Sequence, residues 1–163
     1  MKQLHVHILE AVDLPRTEFL SFSDLYMVLQ ISTSSAIQQT NVIEGTQNPI
    51  WNQDFHFSLM NQNQAVLCAI VKNKTINNSD PPVSKIEIPL SDIEPYQVID
   101  RWYDLESLVE GQNGGKCKII IQIAPAGHPA FLPLDPNRGM MMQQCGFPMQ
   151  VPSGPMVVNI PKK

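Results

Sequence analysis

Two segments concentrate side chains suited to binding chemistry: residues 16–22, RTEFLSF, and residues 71–80, VKNKTINNSD. Phe19, Leu20 and Ile76 have no evident place in a core, and Arg16, Lys72 and Lys74 stand beside them. An apolar tip ringed by cations suits a shallow encounter with an anionic surface. Each basic side chain adds about 1 kcal/mol there. Burying a Phe or Leu adds about 1.5–3 kcal/mol, enough for reversible attachment but not for a permanent anchor. Such a tip exists only if the two segments meet in space.

Covalent and acid–base chemistry has no comparable footing. The chain contains no GxSxG, P-loop or HExxH pattern and no nucleophile set beside a base, so no enzymatic activity is expected. His56 and His128 are isolated, and His5 and His7 read as solvent-facing strand positions without a third metal ligand. Cys68, Cys117 and Cys145 form no CxxC or CxxH spacing, and Cys68 and Cys117 read as small core residues. An odd cysteine count fits a reducing compartment, and no run approaches a membrane span, so a cytoplasmic location is expected.

The elements that must position the two segments are strands. Leu4, Val6 and Ile8 alternate with His5 and His7, and similar runs follow at 25–32, 36–43, 51–59, 65–71, 83–90, 102–105 and 117–123. Trp51, Phe55 and Phe57 share one face of the fourth run and read as core. Eight short strands with almost no helical signal imply an all-β, eight-stranded antiparallel sandwich. If successive strands are antiparallel, connections 13–23, 44–50, 72–82 and 106–115 lie at one end, which brings the two segments together. Phe22 is expected to pack inward beside Ser23. Loops on a rigid scaffold are the default place for function.

Composition divides the chain near Pro125. Residues 1–124 hold eight basic and fourteen acidic side chains, whereas 125–163 hold three and one, within an overall net charge of −4. That balance argues against nucleic acid as a partner. Residues 125–163 carry eight of the fourteen prolines and a Met140-Met141-Met142 run, so a mostly disordered, extended tail is expected, with a short docked piece around Phe131 and Leu132.

Specific blocks resemble a known family. LEAVDLP at 9–15, SDLYMVL at 23–29, TQNPIWNQDFHF at 46–57, IPLS at 88–91 and RWYDL at 101–105 are similar, in order, to the blocks of a C2 domain, the calcium- and phospholipid-binding module of protein kinase C and synaptotagmins. The resemblance covers about residues 1–124 and implies a Greek-key sandwich of the permuted, type II topology that begins at the LEAVDLP strand.

In calcium-binding members of that family, acids from the first and third long connections converge on the ions. The resemblance places Glu18, Asp24 and Asp80 at three acidic positions and Lys72 and Lys74 where paired aspartates belong. Calcium needs six to eight oxygens. An ammonium about 4 Å from a divalent ion repels it by roughly 8 kcal/mol at an effective dielectric of 20, and it donates no oxygen. No metal or other cofactor is therefore expected, and any residual calcium affinity rests on Glu18, Asp24 and Asp80. The lysines are instead expected either to neutralise those acids or to stand solvated at a decayed metal site.

The expected role is a non-catalytic, monomeric recruitment module that binds phospholipid head groups through Arg16, Phe19, Leu20 and Ile76 without calcium. The alternatives are a protein-interaction or scaffolding module using the sandwich and the proline-rich tail, and a weak calcium-dependent lipid binder. A phosphoinositide preference has no support, because residues 36–41, AIQQTN, contain no lysine.

Overall fold

The period-two runs become two packed sheets. The structure, a computed structural model, describes residues 1–18 and 21–133. Its strands are β1 (Lys2–Val12), β2 (Leu25–Ile31), β3 (Ile37–Gln39), β4 (Ile50–Leu59), β5 (Val66–Asn73), β6 (Pro82–Pro89), β7 (Val98–Asp104), β8 (Glu106–Ser107) and β9 (Lys116–Pro125). One sheet has the order β4-β1-β9-β7 and the other β3-β2-β5-β6-β8, with every pairing antiparallel. The expected sandwich is present with all eight expected strands. β8 is an addition inside the fourth long connection, where it pairs Ser84 with Ser107 and Lys85 with Glu106. Two residues are too few for alternation to announce a strand.

Hydrophobic alternation sets the register. Leu4, Val6 and Ile8 of β1 face the same core as Leu25, Met27, Leu29 and Ile31 of β2 and Leu67, Ala69 and Val71 of β5. A bulge between Ile8 and Glu10 reverses the parity of β1, so Ala11 enters the core while Glu10 stays outside. Trp51, Phe55, Phe57 and Leu59 occupy the inner face of β4, and the Trp51 indole N–H donates to the Leu25 carbonyl at 3.3 Å. Each such side chain contributes about 1.5–3 kcal/mol through burial.

Antiparallel parity does gather the long connections. Leu14 N–H donates to the Gln47 carbonyl and Thr46 N–H to the Ser23 carbonyl, joining the first connection to the second. Lys74 N–H donates to the Asp24 carbonyl at 2.7 Å, joining the first to the third. Gly115, at φ +82°, lies so close to Val12 that a Cβ would sit 2.5 Å from its carbonyl oxygen, which joins the fourth to the end of β1. The opposite end holds Lys2 against Pro125.

Two local expectations change. Phe22 is 59% exposed, because the buried position at the head of β2 is taken by Ser23 and the Phe22 ring instead lies under the Arg16 guanidinium at 4.9 Å. His5 is buried, because residues 126–132 turn back over the outer face of the β4-β1-β9-β7 sheet and cover it. The compact unit accordingly runs Met1–Leu132. The remainder of the expected tail, from residue 134 onward, lies outside the described residues.

Candidate functional site

Three side-chain amides build the loop end by binding backbone. Gln47 Oε1 accepts from Ser23 N–H at 2.8 Å, while its Nε2 donates to the carbonyls of Leu14 and Pro15 at 2.9 Å. Asn73 Oδ1 accepts from Asp24 N–H at 2.9 Å and its Nδ2 donates to Thr17 Oγ1 at 2.7 Å. Gln112 Oε1 accepts from Arg16 N–H and its Nε2 donates back to the Arg16 carbonyl, both at 2.8 Å. The first connection is thus tied to the second, third and fourth. Gln47 and Asn73 are buried polar groups with their bonds made, which is why they stabilise the site. Sequence reading missed all three. The one available signal was parity: Asn73 continues the inward series Leu67, Ala69, Val71.

The acidic positions are occupied by intramolecular donors. Asp80 Oδ2 accepts from the Tyr26 hydroxyl at 2.6 Å, and Oδ1 accepts from Thr75 N–H at 2.9 Å and from Thr75 Oγ1 at 3.2 Å. Lys74 Nζ stands 3.6 Å from Asp80 Oδ2 and donates to Asn78 Oδ1 at 2.7 Å. The Tyr26 hydrogen bond, then the Thr75 amide, hold the Asp80 carboxyl down at about 2, with Lys74 adding to both. Burial, then the bond to Asp80, push the Tyr26 phenol up to about 12. Asp24 Oδ1 accepts from Gly45 N–H at 2.8 Å, and Glu18 Oε2 accepts from Ser21 Oγ at 3.2 Å.

Lysine therefore neutralises one acid. Lys74 meets Asp80, but Lys72 lies opposite Tyr26 in the β2–β5 ladder and forms no ion pair within 4 Å among the described residues. Among the described residues no group of three or more His, Cys, Asp and Glu side chains is placed to hold a metal ion. The donor set does not fit a calcium cage: Asp80 has its oxygens committed to Tyr26 and Thr75, and an ammonium stands beside them.

The apolar part of the end is exposed. Ile76 is fully accessible at 104%, Phe22 lies under Arg16, and Leu108 is exposed on the fourth connection. Phe19 and Leu20 lie outside the described residues. An open groove of about 850 Å³ at this end is lined by Arg16, Glu18, Pro81, Pro82, Leu108 and Glu110. Among the described residues no helix is long and apolar enough to cross a membrane.

Comparison with known proteins agrees with this architecture. The family model described as "C2 domain" matches residues 2–105. Cytosolic phospholipase A2 delta of Mus musculus is 30% identical over 104 residues, covering 63% of this chain and 13% of that protein. Synaptotagmin-4 of Arabidopsis thaliana is 26% identical over 142 residues, covering 83% and 25%. The chain thus spans a quarter or less of these relatives. Among solved structures, a C2 domain of plant extended synaptotagmin 1 superposes with a TM-score of 0.69 at 20% identity, over 76% of this chain and 94% of that one. Human GIVD cytosolic phospholipase A2 gives 0.67 at 23% identity, over 77% and 17%. With its family blocks in order and its two sheets in place, this chain belongs to the C2 domain family.

Proposed function

We propose that this C2 domain is a non-catalytic, monomeric recruitment module of the cytoplasm that attaches to phospholipid membranes through its loop end without calcium. Arg16, Lys72 and Lys74 supply the positive rim, and Ile76 with Phe19 and Leu20 supplies the apolar contact. One observation carries the reading: Asp80, the acid matching the last ligand position of the third connection, is already bonded to Tyr26 and Thr75 and faced by Lys74. Its neutralisation is internal, so charge at the tip does not wait on an ion.

Kinship with proteins named as synaptotagmins and cytosolic phospholipases A2 supports a lipid target. Flotation with anionic vesicles, run with calcium and with chelator, tests both parts. Equal flotation in the two conditions is expected. Calcium-dependent flotation overturns the ligand reading and revives Glu18, Asp24 and Asp80 as a weak site, while absence of flotation in both transfers the role to a protein partner.

A further inference from the structure

The opposite end of the sandwich holds a cluster that the loop-end site does not use. Its anchor is Gln122, fully buried on the outer face of β9, between Tyr96 and the segment that follows the strand. The Gln122 amide donates to the carbonyls of Tyr96 at 3.0 Å and Leu132 at 2.8 Å, and its oxygen accepts from Phe131 N–H at 2.7 Å. His128 Nε2 bonds the Leu132 carbonyl at 2.6 Å and the His128 ring meets Tyr96 edge-on at 4.8 Å. Phe131 takes a left-handed φ of 62°, uncommon for a bulky residue, so the segment keeps this shape only while it is bonded down.

What the segment covers is histidine. His5 is 7% exposed, with Phe131 edge-on at 6.1 Å, and its Nε2 is buried without a hydrogen-bond partner. His56 of β4 and Gln122 of β9 are its direct neighbours across the two ladders. His128 faces it from the segment itself, and His7, two residues along β1, meets Phe131 at 6.3 Å. Of the acids on this face, Asp54 of β4 acts on His5 and its oxygen lies 2.6 Å from His7 Nδ1, while Asp100 of β7 is paired with Lys118 at 3.0 Å.

We propose that residues 126–132 form a strap held on the sheet at neutral pH and released as His5, the histidine it buries, takes up a proton. A proton on His5 creates a buried cation whose Nε2 has no hydrogen-bond partner, with two further imidazoles near it. Undocking returns that cation to water. Burial, then His56 and His128, lower the His5 value from 6.5, against smaller opposite effects of Asp54 and the His128 backbone. The docked form therefore binds fewer protons than the released one. Docking is at full strength above 6.5 and weakens about tenfold per pH unit below it, until docked His5 itself titrates.

Amide exchange on the full chain tests this through the Phe131 N–H, with the core Ile121 amide as the control for global unfolding. Between about pH 7.5 and about pH 5.5, the Phe131 protection factor is expected to fall, by up to about tenfold for one proton, while that of Ile121 holds. His5→Phe should keep Phe131 protected at the lower pH. If that variant is unfolded, as loss of Ile121 protection at the higher pH reveals, the exposed substitution His56→Gln decides, and it should diminish the loss at the lower pH. Unchanged Phe131 protection in the parent overturns the strap, as does a loss of equal size in whichever variant is folded.

Discussion

The Tyr26 hydroxyl lies 2.6 Å from Asp80 Oδ2 and pins the far end of the third connection to strand β2. Tyr26 stands on the outer face of its sheet, opposite Lys72, so the bond ties the loop to rigid structure. Both titrations point the same way, with the carboxyl held at about 2 and the phenol pushed to about 12. A neutral phenol donating to an ionised carboxylate is the state the geometry selects.

Removing that hydroxyl is the most direct test of the bond. In Tyr26→Phe, the Asp80 carboxyl loses its principal stabiliser, and its NMR titration midpoint should move up from about 2 toward the ordinary 3.8. Because the folded value is depressed, Asp80 contributes stability that is complete above 3.8 and is lost as pH falls toward 2. The variant should therefore lose Tm at neutral pH and show a shallower decline between those two values. A midpoint that does not move would show that the Thr75 bonds alone hold the carboxylate.

Charge reversal at the lysines should change the ion chemistry. Millimolar calcium is expected to leave the Tm of the parent chain unchanged, since Asp80 already has its donors and Lys74 faces it at 3.6 Å. Lys72→Asp/Lys74→Asp supplies two carboxylates beside Asp24 and Asp80. A calcium-dependent rise in Tm is expected there, worth about 1.4 kcal/mol when free calcium is tenfold above the dissociation constant. Differential scanning calorimetry with calcium and with chelator measures it.

The sandwich was legible because period-two alternation is a direct imprint of burial, as Leu4, Val6 and Ile8 show. The clustering of long connections was legible from strand parity alone. The clamps were not: Gln47 and Asn73 are polar residues that sequence reading assigns to loops, and their burial follows from backbone groups that only the folded chain presents to them. Likewise, His5 has the sequence context of a solvent-facing position, and the strap that buries it lies far along the chain. Lys72 and Lys74 looked alike as basic residues of one loop. Lys72 lies within the β2–β5 ladder opposite Tyr26, and Lys74, beyond the strand, is the one near Asp80.

Gln47 carries the heaviest structural duty among the clamps. Gln47→Ala leaves the Ser23 amide and two carbonyls, of Leu14 and Pro15, without their partner. Each orphaned group costs about 1–3 kcal/mol when water cannot reach it. Partial hydration of the loop end lowers the sum, and a loss of about 2–4 kcal/mol is expected from the shift of the urea midpoint at constant slope. A loss confined to a few tenths would mean that water replaces the amide fully.

Membrane attachment should separate into an apolar and an ionic part. Ile76 is fully exposed at the loop tip, so Ile76→Ser should leave stability unaltered and remove up to about 1.5–3 kcal/mol of burial in the lipid interface, or roughly ten- to a hundredfold in partition. Lys72→Gln acts on the rim and should cost about 1 kcal/mol on anionic vesicles and nothing on neutral ones. Raising salt toward about 1 M shortens the screening length to about 3 Å and should abolish the second effect while sparing the first. Vesicle sedimentation across a salt series reads both at once. If Ile76→Ser sediments like the parent while Lys72→Gln does not, the tip touches the surface without entering it.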